Sequence, residues 1–313
     1  MNATPIPQFA CLPGVMIQYT RNGSQITQLH SNIKLSKKAK ILTQPNQEAN
    51  QVTYRQLDQI EKDKKVITTH IFNKERIHWG DTTKYQGSMP FDTTIHFAGG
   101  TLILKRINLQ VLPEHYQLFA ELTTQSSGDA YDRTGSIFII PQDSITLYDA
   151  LTKGIENIPY FTSKKENKYQ GMIATPHYSP VVELIRFFTP FGVGHFNDRV
   201  QIDGLEWQEE VYYKQEITDL KPFLQGDVLI GAFIGNYDGG GHLLSLDLKA
   251  YPGDYVNQIT PQRQWTLPLF NTCNVMEMTG QNYPHFFDTD TLSVTFEIPE
   301  GVNKLKLRYI STG

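Results

Sequence analysis

The sequence predicts an all-β protein built as an antiparallel jelly-roll β-sandwich. Short segments rich in β-branched or alternating apolar residues recur along the chain from residue 66 onward. Turn-forming residues separate these segments, and amphipathic helical patterns are almost absent. Together these observations favour two stacked antiparallel sheets over any α/β or helical architecture.

The N-terminal region differs from the rest of the chain. Val15–Tyr19 and Gln25–Thr27 flank an Asn-Gly turn pair, which predicts a β-hairpin because both residues tolerate positive φ. Residues 36–65 are rich in Lys, Gln and Asn. Within them, QLDQIEKDKK at 56–65 offers little apolar surface to bury, so we expect a short surface helix or a loop there.

Seven strands are predicted in the main body of the chain: Val66–Phe72, Thr101–Ile107, Tyr116–Leu122, Ile137–Ile140, Val182–Phe188, Val228–Ile234 and Leu244–Leu248. The third of them alternates, with Leu118, Ala120 and Leu122 on one face. Ile137–Ile140 is apolar on both faces, which is typical of a strand inside a two-layer core.

A Tyr-Pro-Gly-Asp sequence at 251–254 is a plausible domain boundary. Beyond it, strands are expected at Thr291–Ile298 and Lys304–Tyr309, too few to close a second sandwich. We therefore expect the chain to stop inside a domain, either because the fragment was defined artificially or because a mature protein is cleaved there. The predicted division is an accessory β-rich domain at 1–65, a first jelly roll at 66–256 and the start of a second jelly roll at 257–313.

Composition excludes several classes of protein. The chain has 39% hydrophobic and 12% aromatic residues and a net charge of −4, which argues against disorder, and its lysine clusters are too short to predict a nucleic-acid partner. No stretch reaches the roughly 18 apolar residues of a membrane span. The first residues do not resemble a signal peptide, so an exported protein would have lost its leader. The two cysteines, Cys11 and Cys273, do not decide between a disulfide and free thiols.

No familiar catalytic or cofactor motif is present. The sequence lacks a Gly-x-Ser-x-Gly elbow, a phosphate-binding loop and a dinucleotide fingerprint, and the run Gly239–Gly241 is interpreted as a flexible hairpin. The nine histidines are scattered singly, so neither a metal site nor a cofactor is predicted. They are His30, His70, His78, His96, His115, His177, His195, His242 and His285.

The loop at 126–136 is the most suggestive site for chemistry. Asp129, Tyr131, Asp132 and Arg133 fall within five residues, directly before a buried strand. Rings stack on sugar faces, while Asp and Arg bind hydroxyl groups or perform acid–base catalysis. A plain surface turn with an exposed ion pair is the alternative, because Asp and Gly are common in turns.

Three segments resemble the bacterial peptide-N-glycosidases of the PNGase F type. Asp129–Arg133 is similar to the family's Asp-x-Trp-Asp-Arg, and Arg186–Gly194 is similar to its Arg-Phe-x-Thr-Pro-Tyr-x-Val-Gly. The third and least specific segment runs from Asp219–Leu224 through two strands to a Tyr-Pro-Gly close at Gly253. The order and spacing of all three agree with the family over about 66–256.

The resemblance implies two jelly rolls side by side, with an active site in the cleft between them, in a secreted or periplasmic enzyme. Such an enzyme cleaves the asparagine–N-acetylglucosamine amide bond of N-glycoproteins or glycopeptides without a cofactor. Asp132 matches the main catalytic carboxylate, and Arg133 would orient the substrate and keep Asp132 ionised. The other expected substrate-binding residues are Tyr131, Asp129 and Tyr237.

The chain departs from the family pattern at three points. A second family carboxylate would lie beyond Gly313, so a further jelly roll of the same protein is the expected partner. Another family acid falls at Gly235, and Ser126–Gly128 stands where the family has a cysteine pair. Residues 1–65 match only an extra domain of some relatives, which would shape glycan access.

Three functions are therefore weighed. A glycan-releasing amidase is favoured by the intact Asp132-Arg133 pair, and a non-catalytic carbohydrate-binding module is favoured by the lost acid at Gly235. A copper monooxygenase has a similar two-jelly-roll architecture. It needs clustered His and Met ligands, and the scattered histidines argue against it.

Overall fold

The computed structural model describes residues 16–21, 24–26, 66–81, 84–191, 203–204, 209–252, 265–271, 290–291, 293–302 and 305–309. For 16–21 and 24–26 only the backbone is described. The predicted helix at 56–65 and both cysteines lie outside these residues. No helix among them is long and apolar enough to cross a membrane.

Nine strands between Ile67 and Pro252 form two stacked antiparallel sheets. The five-stranded sheet contains, in spatial order, β10 (Val182–Phe188), β7 (Thr134–Ile140), β12 (Gly226–Ile234), β5 (Leu102–Leu109) and β4 (Thr94–Phe97). The four-stranded sheet contains β11 (Glu210–Glu216), β6 (Tyr116–Ser126), β13 (His242–Pro252) and β3 (Ile67–Ile77). Apart from the β4–β5 and β7–β10 connections, successive strands of the sandwich lie in different sheets, as in a jelly roll, which confirms the predicted fold.

The main hydrophobic core lies between the two sheets. Alternate residues of strands in both sheets fill it. In the four-stranded sheet they include Leu118, Ala120 and Leu122 of β6 and Leu244, Leu246 and Leu248 of the neighbouring β13, which are all buried. This matches the face predicted for β6. Removing such apolar surface from water is the main term that stabilises the sandwich.

The outer face of the five-stranded sheet is also covered. Ile137 and Ile139 of β7 point into the main core, whereas Phe138 and Ile140 belong to a second buried cluster. Helix α1 (Leu147–Lys153), which the sequence analysis missed, contributes Leu147 and Ala150 to that cluster. The two-sided apolar pattern of β7 is therefore explained by cores on both faces.

Two further small sheets lie outside the sandwich. β8 (Tyr160–Thr162) and β9 (Lys168–Gln170) form an antiparallel hairpin. The predicted N-terminal hairpin is confirmed as β1 (Met16–Arg21) and β2 (Ser24–Ile26), and β1 also pairs in parallel with β14 (Ser293–Glu297). The assignment of 1–65 and 257–313 to domains of their own stays a prediction.

The strand expected at Lys304–Tyr309 was wrong for the described part of that range. Leu305–Tyr309 forms no ladder, and side chains attach it instead. Arg308 Nη2 donates to the carbonyl of Leu184 at 2.7 Å, and Lys306 Nζ contacts Asp219 Oδ2 at 3.0 Å. The alternating pattern of this segment therefore serves side-chain contacts to the sandwich and not a sheet.

Candidate functional site

One end of the sandwich, here called the site end, gathers most of the predicted site residues. β3, β6, β10 and β12 end there, while β7 and β13 begin there. The loop between β6 and β7 carries Asp129–Arg133, and the loop between β12 and β13 carries Tyr237. Strand order therefore brings together residues that lie about 100 positions apart in the sequence.

A buried ion pair lies at the centre of the site end. Asp129 is fully buried, and its Oδ2 accepts a hydrogen bond from Arg133 Nε at 2.8 Å. Arg133 Nη2 donates to Asp129 Oδ1 at 3.2 Å, and the guanidinium lies 5.0 Å from the Tyr131 ring centroid. The alternative interpretation of this loop was an exposed ion pair at the surface. The structure instead has a bidentate pair whose acid is buried.

Hydrogen bonds keep Asp129 ionised despite its burial. Burial would raise the pKa of Asp129, but the Arg133 side chain and the backbone N–H of Tyr131 hold that pKa below its ordinary value. Asp129 in turn is the main cause of the raised pKa of Arg133. The pair is charged at neutral pH, and it fixes both ends of the loop segment that contains Asp132.

His242 lies behind this pair. Its side chain is fully buried, and Nε2 is 3.5 Å from Asp129 Oδ2, too long for a good hydrogen bond. Neither ring nitrogen has a hydrogen-bond partner in the described part of the chain. Burial lowers the pKa of His242, while the charge of Asp129 opposes that shift. The sequence does not mark His242 as a site residue, because nothing local distinguishes it from the other eight histidines.

Thr189 explains why the Thr-Pro segment follows β10. Its buried hydroxyl accepts a hydrogen bond from Arg133 N at 2.7 Å and donates to Tyr131 O at 3.0 Å. The Thr189 backbone N–H also donates to Arg133 O at 2.9 Å. One threonine therefore fixes the backbone on both sides of Asp132.

The rest of that segment within the described residues holds β10 against its neighbour. Arg186 Nε donates to Glu183 Oε1 at 2.5 Å, and Ser136 Oγ donates to the same oxygen at 2.7 Å. The Phe187 ring covers Gly135, where an added Cβ would lie 2.2 Å from the ring. These contacts hold β7 and β10 together next to the loop that carries Asp132.

The glycine run after β12 is not a flexible hairpin. It connects strands of different sheets, and its backbone packs on the β6–β7 loop, where a Cβ on Gly240 would lie 2.6 Å from the carbonyl carbon of Gly128. Ser127 Oγ donates to Gly240 O at 2.6 Å, and Ser126 Oγ donates to Asp129 O at 2.6 Å. Ser127 thus joins the two loops by a hydrogen bond, whereas the Ser126 hydroxyl bonds within the β6–β7 connection.

Asp132 differs from Asp129 in its burial and in its contacts. Its side chain is exposed, and it forms no hydrogen bond or ion pair with any described residue. The Arg133 guanidinium, which was expected to act on Asp132, pairs with Asp129. The structure therefore separates a buried structural carboxylate from an exposed one three residues later.

Two exposed aromatic pairs flank the loop. Tyr131 and Phe191 have ring centroids 6.5 Å apart, and Trp79 and Tyr237 have centroids 5.8 Å apart. Trp79 was missed by the sequence analysis, although it is one of only three tryptophans and precedes a Gly-Asp turn. At Gly235 the backbone N–H donates to Thr134 O at 3.0 Å, so this position continues the sheet without a side chain.

No group of three or more His, Cys, Asp or Glu side chains within the described ranges is arranged to hold a metal ion. The rings of His78 and His96 lie near each other, with centroids 6.4 Å apart. The described side chains at the site end include carboxylates, a guanidinium and aromatic rings.

Comparisons with known proteins identify relatives of this chain. A sequence model described as "Peptide-N-glycosidase F, N terminal" matches residues 68–250. Two structures of PNGF-II, in space groups P21 and C2, align at 44% identity and a TM-score of 0.65 over 76% of this chain. The chain spans 43% and 42% of those two PNGF-II chains, less than half of their length.

A structure of PNGase F, a glycosylasparaginase from Flavobacterium meningosepticum, aligns with 64% of this chain and 44% of its own at 13% identity and a TM-score of 0.33. No protein with a curated description matches the sequence. The sequence match covers more than half of the chain and includes the ion pair, Asp132 and Thr189. The chain belongs to the peptide-N-glycosidase F family.

Proposed function

We propose that this chain forms part of an amidase that releases N-linked glycans by hydrolysing the bond between asparagine and N-acetylglucosamine. The observation that carries the proposal is the exposed Asp132, whose two neighbours are fixed by Thr189 and Asp129. A carboxylate that has no partner among the described residues, on a backbone held from both sides, suits catalysis, because none of those contacts must be broken before it acts. The family to which the chain belongs supports the same reaction.

Each residue of the loop has a proposed role. Arg133 uses its Nε and one Nη2 hydrogen for Asp129, which leaves three N–H donors for a substrate oxygen. Tyr131, with 57% of its surface exposed, offers a ring face to a sugar. Asp129 acts through Arg133 and is a positioning residue.

In the proposed reaction Asp132 accepts a proton from a water molecule whose oxygen bonds to the amide carbon of the asparagine side chain. The C–N bond then breaks, and the proton held by Asp132 passes to the departing nitrogen, which leaves as a glycosylamine. The peptide keeps an aspartate in place of asparagine, and the glycosylamine decays to free glycan and ammonia. Arg133 stabilises the negative charge that develops on the amide oxygen.

The test is glycan release from a denatured N-glycoprotein by the full-length protein, by the 313-residue chain alone and by two full-length variants. Asp132→Asn should lower the release rate by about 10²–10⁴-fold while leaving thermal stability unchanged. Asp143→Asn is the control, because Asp143 is also exposed but follows the opposite end of β7, where it accepts a hydrogen bond from Ser179 Oγ at 3.1 Å. We expect activity only in full-length forms, because a further jelly roll is proposed to complete the cleft.

A second candidate is a non-catalytic glycan-binding module, which the absence of a side chain at Gly235 favours. Wild-type protein that retains glycopeptides on a column but releases no glycan would support this candidate and refute the amidase. A secreted or periplasmic location belongs to the same proposal, since N-glycoprotein substrates lie outside the cell. Fractionation of the source cells tests it directly.

A further inference from the structure

A buried polar layer lies between the two sheets at the site end. Towards that end, the apolar core residues of β6, β12 and β13 are followed by Thr124, Asn236 and His242. All three side chains are fully buried, and each lies two positions from a core residue, namely Leu122, Ile234 and Leu244. Because side chains alternate along a strand, this spacing directs all three towards the interior. The core therefore ends in polar groups next to the loop that carries Asp132.

His242 has one charged neighbour within ion-pair distance among the described residues. Its Nε2 lies 3.5 Å from Asp129 Oδ2, and neither ring nitrogen has a hydrogen-bond partner there. In the four-stranded sheet His242 lies opposite Ile77 of β3, whose carbonyl accepts a hydrogen bond from Asn236 Nδ2 at 3.2 Å. Thr124 Oγ1 and Asn236 Oδ1 form no hydrogen bond with the ring. Asp129 is therefore the group in this layer with which the imidazole can form an ionic hydrogen bond.

The sequence keeps a costly side chain at this position. A buried imidazole without hydrogen bonds lowers the stability of the folded state. His242→Leu would instead extend the apolar face that Leu244, Leu246 and Leu248 form along β13. Residues that break a rule of core packing are expected at functional sites. The position of His242 behind the ion pair therefore indicates a role at that pair.

His242 and Arg133 face the same carboxylate oxygen. Asp129 Oδ2 accepts a hydrogen bond from Arg133 Nε at 2.8 Å, and the neutral imidazole at 3.5 Å leaves this oxygen to the guanidinium. Uptake of a proton makes both ring nitrogens donors, and an approach by about 0.7 Å would give a charge-assisted hydrogen bond to Asp129. Two cations that repel each other would then share one carboxylate, so its hold on Arg133 would weaken.

Three charged groups act on His242 from the two loops at the site end. Asp129 and Arg133 belong to the β6–β7 loop, and Asp238 belongs to the β12–β13 loop. Burial is the main cause of the lowered pKa of His242, and Arg133 adds to that shift while Asp129 and Asp238 oppose it. The ring is therefore neutral at pH 7 and takes up a proton only in acidic solution, below about pH 6.5.

We propose that His242 is a positioning residue for Arg133, and that the guanidinium keeps its place on Asp129 only while the imidazole is neutral. The consequence for glycan release rests on the proposed function, in which Arg133 stabilises charge on the substrate. His242 itself does not touch the substrate, since its side chain has no exposed surface. It acts through Asp129.

The first experiment follows the Arg133 Nε–H group and the His242 ring by ¹⁵N NMR in the full-length protein without substrate, between about pH 7.5 and 4.5. Both signals should shift with one common midpoint below about pH 6.5. In His242→Gln the step in the Arg133 signal should disappear. His242→Leu, which suits the apolar face of β13, replaces this variant if glutamine prevents folding.

His177→Gln is the matched control, because it removes an exposed histidine and should leave the Arg133 step in place. An Arg133 signal that does not change as His242 titrates would overturn the inference. So would a step of the same size in His242→Gln, because the step would then come from another group.

The second experiment measures kcat/KM for glycan release over the same pH range. Below the midpoint, the wild type should lose about tenfold per pH unit beyond the loss in His242→Gln, in proportion to its neutral fraction. If wild-type protein releases no glycan but Arg133 follows His242 by NMR, the amidase is refuted and the positioning role stands. If glycan is released with the same pH profile in both proteins, the positioning role is refuted and the amidase stands.

Discussion

Arg133 contacts both carboxylate oxygens of Asp129, at 2.8 and 3.2 Å, and thereby leaves the adjacent Asp132 exposed. Asp129 has no exposed surface, whereas 23% of the Arg133 side chain is exposed. The pair therefore fixes the β6–β7 loop from its buried side, while the guanidinium of Arg133 remains partly exposed. A single sequence motif thus supplies a structural carboxylate and a candidate catalytic one.

The first prediction concerns this pair. Asp129→Asn should lower the free energy of unfolding by about 2–4 kcal/mol, because it leaves the Arg133 charge partly buried without its partner. Glycan release should fall as well, since Arg133 loses its position. Chemical denaturation and the release assay measure both effects.

The control for that prediction is the bidentate pair of Arg106 with Asp227, whose side chains are 29% and 36% exposed. Asp227→Asn should cost no more than about 1 kcal/mol, because solvent screens an exposed pair. Equal costs at the two sites would contradict the idea that burial makes the Asp129 pair important.

The second prediction concerns Thr189, whose hydroxyl fixes the backbone beside Asp132. Thr189→Val keeps the shape but leaves a buried N–H and a carbonyl unpaired, which should cost about 1–3 kcal/mol of stability. Glycan release should fall further than thermal stability alone explains, and Thr189→Ser should restore both. Thr152→Val on α1, which removes one hydrogen bond to Tyr148 O, is the control and should leave glycan release unchanged.

Strands with a strong apolar pattern were predicted well from the sequence. Val182–Phe188 has the predicted bounds, and β7 and β12 differ only by short extensions. β11 (Glu210–Glu216) was missed because it is an edge strand whose seven residues are mostly polar or partly exposed. A polar edge needs no apolar face, so hydrophobic alternation does not reveal it.

The site was predicted only where its residues are neighbours in the sequence. Asp129, Tyr131, Asp132 and Arg133 form one loop with an unusual composition, and a motif can mark such a loop. The contact of Arg133 with Thr189 spans 56 positions, and no local pattern encodes it. His242 and Trp79 reach the site because strands of two sheets end together, which depends on the tertiary fold.

The third prediction concerns the buried His242. Burial lowers its pKa below the ordinary value near 6.5, with Asp129 and Asp238 opposing that shift and Arg133 adding to it. The unfolded chain therefore takes up a proton at a higher pH than the folded protein does. Stability should fall as the pH drops below about 6.5, in the window where only the unfolded state is protonated.

His242→Gln should make the melting temperature less dependent on pH between about 7 and 5, because glutamine does not titrate. The matched control is His177→Gln, which replaces an exposed histidine and should leave the slope unchanged. The measurement is a set of melting curves across this pH range. If His242→Gln leaves the slope of melting temperature against pH unaltered, the pH dependence comes from other groups, such as His78, whose pKa is also lowered by burial.

The fourth prediction concerns Asp290, which attaches the segment around β14 to the β8–β9 hairpin. Its Oδ2 accepts hydrogen bonds from Ser163 Oγ, Asn167 Nδ2 and Tyr169 OH at 2.5, 2.9 and 3.1 Å. Burial would raise the pKa of Asp290, but these donors together with Thr291 N–H lower it to about 2. The stabilising effect is therefore complete above about pH 4 and is lost as the pH falls towards 2.

Asp290→Asn should destabilise this attachment by about 1–3 kcal/mol at pH 7, because the amide nitrogen cannot accept the hydrogen bonds that one carboxylate oxygen accepted. Hydrogen exchange should rise in β8, β9 and β14 and stay unchanged in β6 and β13, which lie in the sandwich. Near pH 2 the difference between variant and wild type should shrink, since the wild-type carboxyl is then largely protonated. An increase in hydrogen exchange throughout the sandwich would instead mean that Asp290 stabilises the whole fold. No increase at all would mean that the apolar contacts of Val294 with Tyr169 and Ile173 suffice for the attachment.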